Sequence, residues 1–193
     1  MRLTPAVRVL AFIALIVMGT ASSSSGQGFI NPFLDYHFGG DSVCPTVFQC
    51  DGARASLGVS IGALGSVVGF EEDFSYGKNF FGTEPLLSSN VTTLMSNVLI
   101  APKIGPVRPY AVGGIGLIRV ASTTTLANIV VSDSNNVGYD IGGGLMIFLG
   151  RHVGIRGDVR GYRALQDLKV FGLLVPGSKL QFGRAAGGIV FAF

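Results

Sequence analysis

The sequence predicts an all-β fold, an eight-stranded antiparallel up-and-down transmembrane β-barrel over 29–193, preceded by a signal peptide at 1–21 and a linker at 22–28. Three observations predict it. The chain is greasy yet glycine-rich, its apolar residues recur with period two, and its connections alternate between short and long.

Composition sets the class. Of 193 residues, 48% are hydrophobic and 13% charged, with 29 Gly and no Trp. A soluble domain carries roughly 25% charged residues, and its surface needs them. Pro is only 8, and Val, Ile, Leu and Phe are plentiful, so the chain has apolar area to bury and is not a disordered low-complexity segment. A net charge of +3 without a run of Lys or Arg gives no footprint for nucleic acid.

The N-terminal segment has the anatomy of an export signal. Arg2 and Arg8 supply the positive start, Val9–Met18 is an apolar stretch of ten residues, and Gly19-Thr20-Ala21 offers small residues for cleavage. Ten residues are too few to span a bilayer as a helix, which takes about 20; the alternative is an uncleaved N-terminal anchor. The two cysteines, Cys44 and Cys50, enclose five residues. In an oxidising compartment they are expected to pair, although two free thiols are the alternative. A metal site would need further Cys or His nearby, and His37 alone lies within ten residues, so no metal site is expected.

The strands follow in order. Phe29–Phe38 turns Leu34, Tyr36 and Phe38 outward and Asp35 and His37 inward, with Pro32 suiting the strand's start. Arg54–Leu64 is the clearest: Leu57, Val59, Ile61 and Ala63 share one face, and Ser56, Gly58, Ser60 and Gly62 share the other. Val67–Tyr76 sets Val68, Phe70, Phe74 and Tyr76 against Glu71, Asp73 and Ser75, with Glu72 interrupting the apolar face. Asn90–Ala101 is a strand whose faces the pattern does not assign. Pro109–Val120 puts Ala111, Ile115 and Leu117 outward and Tyr110, Gly114 and Gly116 inward. Val137–Phe148 sets Tyr139, Ile141, Leu145 and Ile147 against Gly138, Asp140, Gly142 and Gly144. Val153–Tyr162 sets Val153, Ile155 and Val159 against Arg156, Asp158 and Arg160. Leu180–Phe193 sets Ile189, Phe191 and Phe193 against Arg184, Ala186, Gly188 and Ala192.

Connections after strands 2, 4 and 6 are short, whereas Gly39–Ala53, Gly77–Ser89, Ala121–Asn136 and Ala164–Ser178 are long and polar or mixed. Such alternation suits a barrel with one rim facing a periplasm and the other the outside. Charged residues share a face with glycine while aromatic and branched residues share the other, the inverse of a soluble lipocalin-like barrel.

Pro109-Tyr110-Ala111-Val112-Gly113-Gly114-Ile115-Gly116, the run Gly142-Gly143-Gly144 and the ending Ile189-Val190-Phe191-Ala192-Phe193 together resemble the small outer-membrane β-barrel proteins of the opacity and OmpA-barrel type. That resemblance covers the chain beyond the signal segment. It implies a place in the bacterial outer membrane, a structural or surface-interaction role, and an assembly signal for the outer-membrane machinery carried by Ile189, Phe191 and Phe193. Larger relatives tether the cell wall through a further domain, and no such tether is expected here.

Inside the barrel, Glu71, Asp73, Asp140 and Asp158 are expected to pair with Arg156, Arg160 and Arg184. Eight strands leave a bore that side chains nearly fill, so this network is expected to plug it. A narrow conduit for small solutes or hydrophobic molecules is the alternative. Glu71 and Asp73, about 7 Å apart on one strand face, are a carboxylate pair of the kind used in acid–base work. His37 near Ser56 or Ser60 is the one arrangement suggesting a lipid-modifying hydrolase, and no nucleophile elbow or triad spacing accompanies it. His152 sits in a short turn and is expected to be solvated. The Gly142–Gly144 run lacks the Lys and helix of a phosphate loop. No cofactor and no catalytic activity are expected. The expected partners are outer-membrane lipid, the assembly machinery and surface ligands reached through the long loops.

Overall fold

A computed structural model describes residues 26–39, 55–78, 87–124, 129–165, 169–170, 173–174 and 180–193. The segment expected to be a signal peptide, and Cys44 and Cys50, expected to pair, lie outside them. Eight long strands form a closed antiparallel barrel: β1 (Gln27–Phe38), β2 (Ala55–Leu64), β3 (Val68–Lys78), β4 (Leu87–Ile100), β5 (Val107–Thr124), β6 (Ile129–Phe148), β7 (Val153–Ala164) and β10 (Gln181–Ala192). Each pairs with its neighbour in sequence, and β10 returns to β1 to close the ring. Between β7 and β10, the short segments β8 (Lys169–Val170) and β9 (Leu173–Leu174) form a separate two-stranded ladder.

Closure removes the free sheet edges that would otherwise expose unpaired backbone, a requirement for any sheet surrounded by lipid. One local break remains in the ladder. β1 pairs with β10 at Ile30↔Phe191 and again at Phe33↔Gly188, with no registered pair at Asn31 or Pro32 between them. Pro32 therefore sits mid-strand rather than at the strand's start. Its missing N–H falls where the ladder is already interrupted.

The short turns join β2 to β3, β4 to β5 and β6 to β7. The β4–β5 turn is closed by backbone pairing between Ile104 and Val107, and Gly105 holds a positive φ of 63° there, a conformation open to glycine at little cost. At the opposite end β5 and β6 run much further than the apolar pattern suggests. Their pairing continues to Thr124↔Ile129, with a register shift at Ser122/Thr123, and β4 follows to Leu87↔Thr124. Most of the loop expected over 121–136 is thus a paired extension. Its Ser, Thr, Asn and Asp residues hid it, because they carry no period-two apolar pattern.

Alternation governs the wall. Leu34 is 69% exposed, Leu57 63%, Ile141 66% and Val159 54%, and these belong to an apolar outer band that includes Phe70, Phe74, Ile115, Ile155 and Phe191. The faces of β4 are now assigned: Val91, Thr93, Met95, Asn97 and Leu99 point inward, and Leu94, Val98 and Ile100 outward. Glu72 stays on the outer face, half-buried, where its Oε2 accepts a hydrogen bond from Ser96 Oγ at 2.8 Å.

Candidate functional site

The bore is filled in three layers. Toward the short turns lies an apolar layer that includes Phe29, Leu64, Leu99, Met146 and Val190. Toward the long connections lies a second, with Val91, Met95, Ile118, Leu180 and Phe182 among its members. Ionised side chains fill the space between. The interior is therefore not polar throughout, as the alternation of charge with glycine suggested. It is capped with oil at both ends, because Met95, Ile118, Met146 and Phe182 are large inward residues that the pattern left out.

All seven charged residues named from the sequence are buried within that middle layer. β7 supplies two of the cations. Arg156 Nη1 donates to Glu71 Oε2, while its Nε reaches Tyr110 Oη at 2.7 Å and lies 3.2 Å from Asp158 Oδ2. Arg160 Nη2 donates to Glu71 Oε1 at 2.8 Å, Nε donates to Asp158 Oδ1 at 3.1 Å, and Nη1 lies 3.4 Å from Asp140 and 3.6 Å from Asp73. On β10, Arg184 grips Asp73 with both terminal nitrogens at 2.8 and 2.9 Å. Such two-pronged pairing is specific to the planar guanidinium. Aromatic rings cover the cations as well. Arg156 lies 4.7 Å from the centre of the Tyr110 ring, and Arg184 lies 4.8 Å from that of Phe33.

Neutral groups complete the mesh. Tyr110 Oη donates to Asp158 Oδ2 at 2.6 Å. The Asn97 amide, turned so that its nitrogen faces Asp140 Oδ1 at 2.8 Å, accepts from Arg160 Nη1 at 2.9 Å. Asp35 joins as a fifth buried acid: it accepts from Ser75 Oγ at 2.8 Å and lies 3.8 Å from Arg184. Its inward direction was legible, but its membership of the cluster was not, since β1 meets β10 only on closure. Glycine gives the arginines room. A Cβ on Gly142 would first meet the Val159 backbone oxygen of the neighbouring strand, then Arg160 Cα at 2.7 Å and its Cγ at 2.9 Å.

His37 has a serine and an acid at the same ring nitrogen. Ser56 Oγ lies 3.2 Å from His37 Nδ1, and Asp35 Oδ1 lies 3.7 Å from that same nitrogen. A relay needs the acid on one ring nitrogen and the nucleophile on the other. Both side chains are buried, and Phe182 packs edge-on to the imidazole at 5.2 Å. Ser60 is engaged elsewhere, accepting from Asn31 Nδ2 at 3.1 Å. His152, exposed in its turn, has Nδ1 3.0 Å from the Ala192 carbonyl oxygen. Among the described residues no three His, Cys, Asp or Glu side chains are grouped to hold a metal, and no helix is long and apolar enough to cross a membrane.

Comparison with known proteins gives one consistent picture. Residues 9–183 match the model of the outer membrane protein beta-barrel domain family. No curated protein matches the chain. Among solved structures, the barrel is similar to Neisserial surface protein A (NspA), with a TM-score of 0.61, 17% identity, and coverage of 88% of this chain and 98% of that one. It is similar to OprG from Pseudomonas aeruginosa, with a TM-score of 0.55, 13% identity, and coverage of 88% and 97%. It is also similar to Ail, the attachment invasion locus protein of Yersinia pestis, solved with the heparin analogue sucrose octasulfate, with a TM-score of 0.54, 12% identity, and coverage of 87% and 99%. At these identities the likeness is one of fold.

Proposed function

This chain belongs to the outer membrane protein β-barrel domain family, and from that premise we propose that it is a structural or surface-interaction protein of the bacterial outer membrane, with a plugged lumen and no catalytic role. The observation that carries this reading is the layering of the bore. Ions crossing it would meet Phe29, Leu99 and Met146 at one end and Met95, Ile118 and Phe182 at the other. The band between is occupied by side chains paired with one another. An eight-stranded barrel leaves no wide channel even before such filling.

The paired arginines and acids act as a strut rather than as reactive groups. Glu71 is shared between Arg156 and Arg160, so that each of its carboxylate oxygens faces a guanidinium. At His37 the acid and the serine face the same ring nitrogen, and Ser56 is buried. Contact with the outside would fall to the long-loop end, where β4, β5 and β6 extend together beyond the inward-packed section. Outer-membrane lipid would meet the apolar outer band. Ile189, Phe191 and Phe193, exposed on the strand that closes the ring, would be read by the assembly machinery.

Planar-bilayer recording of the purified, folded protein tests the plug. The expected record is a flat baseline with no steady, reproducible openings. Stable unitary conductance would favour the small-solute channel instead. In the same preparation, lipid-modifying activity abolished by His37→Ala would restore the hydrolase reading.

A further inference from the structure

Below the apolar layer, at the short-turn end, the barrel opens into a vestibule of about 480 Å³. Its lining includes Arg108, Lys103, Arg151 and His152, beside Phe148 and Leu149. Arg108 is the unusual member. It points inward at the start of β5 and is only 6% exposed. Its Nη2 donates to the Gly65 carbonyl oxygen at 2.9 Å, whereas Nη1 is buried with no hydrogen-bond partner. Among the described residues it forms no ion pair. The described residues of this rim, 26–28, 64–67, 101–106 and 149–152, contain no Asp or Glu, and the nearer lumen acids, Glu71 and Asp158, are engaged by Arg156 and Arg160 on the far side of the Phe29 and Tyr110 rings.

A buried guanidinium without a counter-charge is costly, and three permanent cations facing one cavity repel each other. The three arginines deeper in the barrel are all paired, so the bare one at the mouth stands out.

We propose that this vestibule is a binding site for a phosphate monoester, with the phosphate held by Arg108 and flanked by Lys103 and Arg151, and its substituent against Phe148 and Leu149. A phosphate monoester carries about −1.5 to −2 charges and three acceptor oxygens at neutral pH. That load matches several cations better than a single carboxylate does, and the arginine fork suits two of the oxygens. The floor is sealed by the apolar layer, so the site is a blind cup and not the mouth of a path. The phosphate has two sources, the headgroup of a lipid in the leaflet that meets this rim or a free phosphate in the compartment beneath it.

Calorimetric titration of the folded full chain in a maltoside detergent, which carries no phosphate, separates them. The probes are inorganic phosphate and dihexanoyl phosphatidic acid. Saturable binding of either supports the site; binding of both identifies free phosphate as sufficient, and binding of the lipid alone identifies the headgroup. Arg108→Gln is expected to weaken binding at least tenfold while the compact, heat-modifiable band on electrophoresis is retained. Should that variant fail to fold, Lys103→Gln combined with Arg151→Gln, both on exposed turns, is expected to give a similar loss. Absence of saturable binding by either probe, or affinity unchanged in the variant that folds, overturns the proposal.

Discussion

Arg184 and Asp73 meet fork to fork across the bore, Nη1 to Oδ1 at 2.8 Å and Nη2 to Oδ2 at 2.9 Å, although 111 positions separate them in the chain. Both are buried, and the Phe33 and Tyr162 rings flank the guanidinium. Removing one partner leaves an uncompensated charge in the wall of a sealed interior. Arg184→Met is therefore expected to lower unfolding stability by about 3–5 kcal/mol. Replacing both, as Asp73→Leu with Arg184→Met, is expected to recover most of that loss, because a buried pair often exchanges for apolar residues at little cost. Urea titration of the protein in lipid vesicles measures both. Equal stability of the single and double variants would contradict this account.

Tyr110 sits between the lower apolar layer and the ionic band. Its hydroxyl donates to Asp158 and accepts from Arg156. Tyr110→Phe keeps the ring and removes both bonds, so a loss of about 1.5–3 kcal/mol is expected, the range for hydrogen bonds to charged groups. The same titration reads it, and an unchanged midpoint would show that the hydroxyl carries nothing.

Two glycines with opposite surroundings test why the chain is rich in that residue. A Cβ on Gly142 would enter the space of Arg160; Gly142→Val is expected to cost about 1–3 kcal/mol through overpacking. Gly187 faces outward with nothing within 4 Å of such an atom, so Gly187→Ala is expected to stay within about 0.5 kcal/mol of the parent. Equal effects at the two sites would remove the claim that inward glycines make room for the plug.

Glu72 lies on the outer face among Phe70, Phe74 and Ile61, with Ser96 as its hydrogen-bond donor. Acidic residues on the lipid face of a barrel are destabilising in a depth-dependent way, less so than Arg or Lys. Glu72→Leu is expected to raise stability by about 1–2 kcal/mol in vesicles. A fall would mean that the pairing with Ser96 outweighs the penalty.

Much of this was legible before any coordinates. Period-two patterning located the strands because a sheet with lipid on one side must alternate: Leu57, Val59 and Ile61 against Ser56, Gly58 and Ser60 admit little else. Where both sides are alike the signal fails. β4 carries Val91, Met95 and Leu99 inward and Leu94 and Val98 outward, so neither face announces itself. The β5–β6 extension, rich in Ser, Thr, Asn and Asp, reads as a loop because it carries no apolar alternation. Arg108 precedes Pro109 beside a turn, and no spacing within the sequence signals that its counter-charge is missing. His37 beside Ser56 was legible because β1 and β2 are consecutive strands, whereas the approach of Asp35 to Arg184 depends on β1 meeting β10.

In the ring β1-β10-β7-β6-β5-β4-β3-β2, β7 and β3 stand on opposite walls. The ties of Glu71 to β7 and of Asp73 to β10 are thus contacts that a growing ribbon cannot make. In an unrolled sheet the β7 guanidiniums and the β3 acids would lie four strands apart. Curling brings them together and expels their water in the same motion, so the circle is favoured only when complete. Half a cylinder would gain nothing from them.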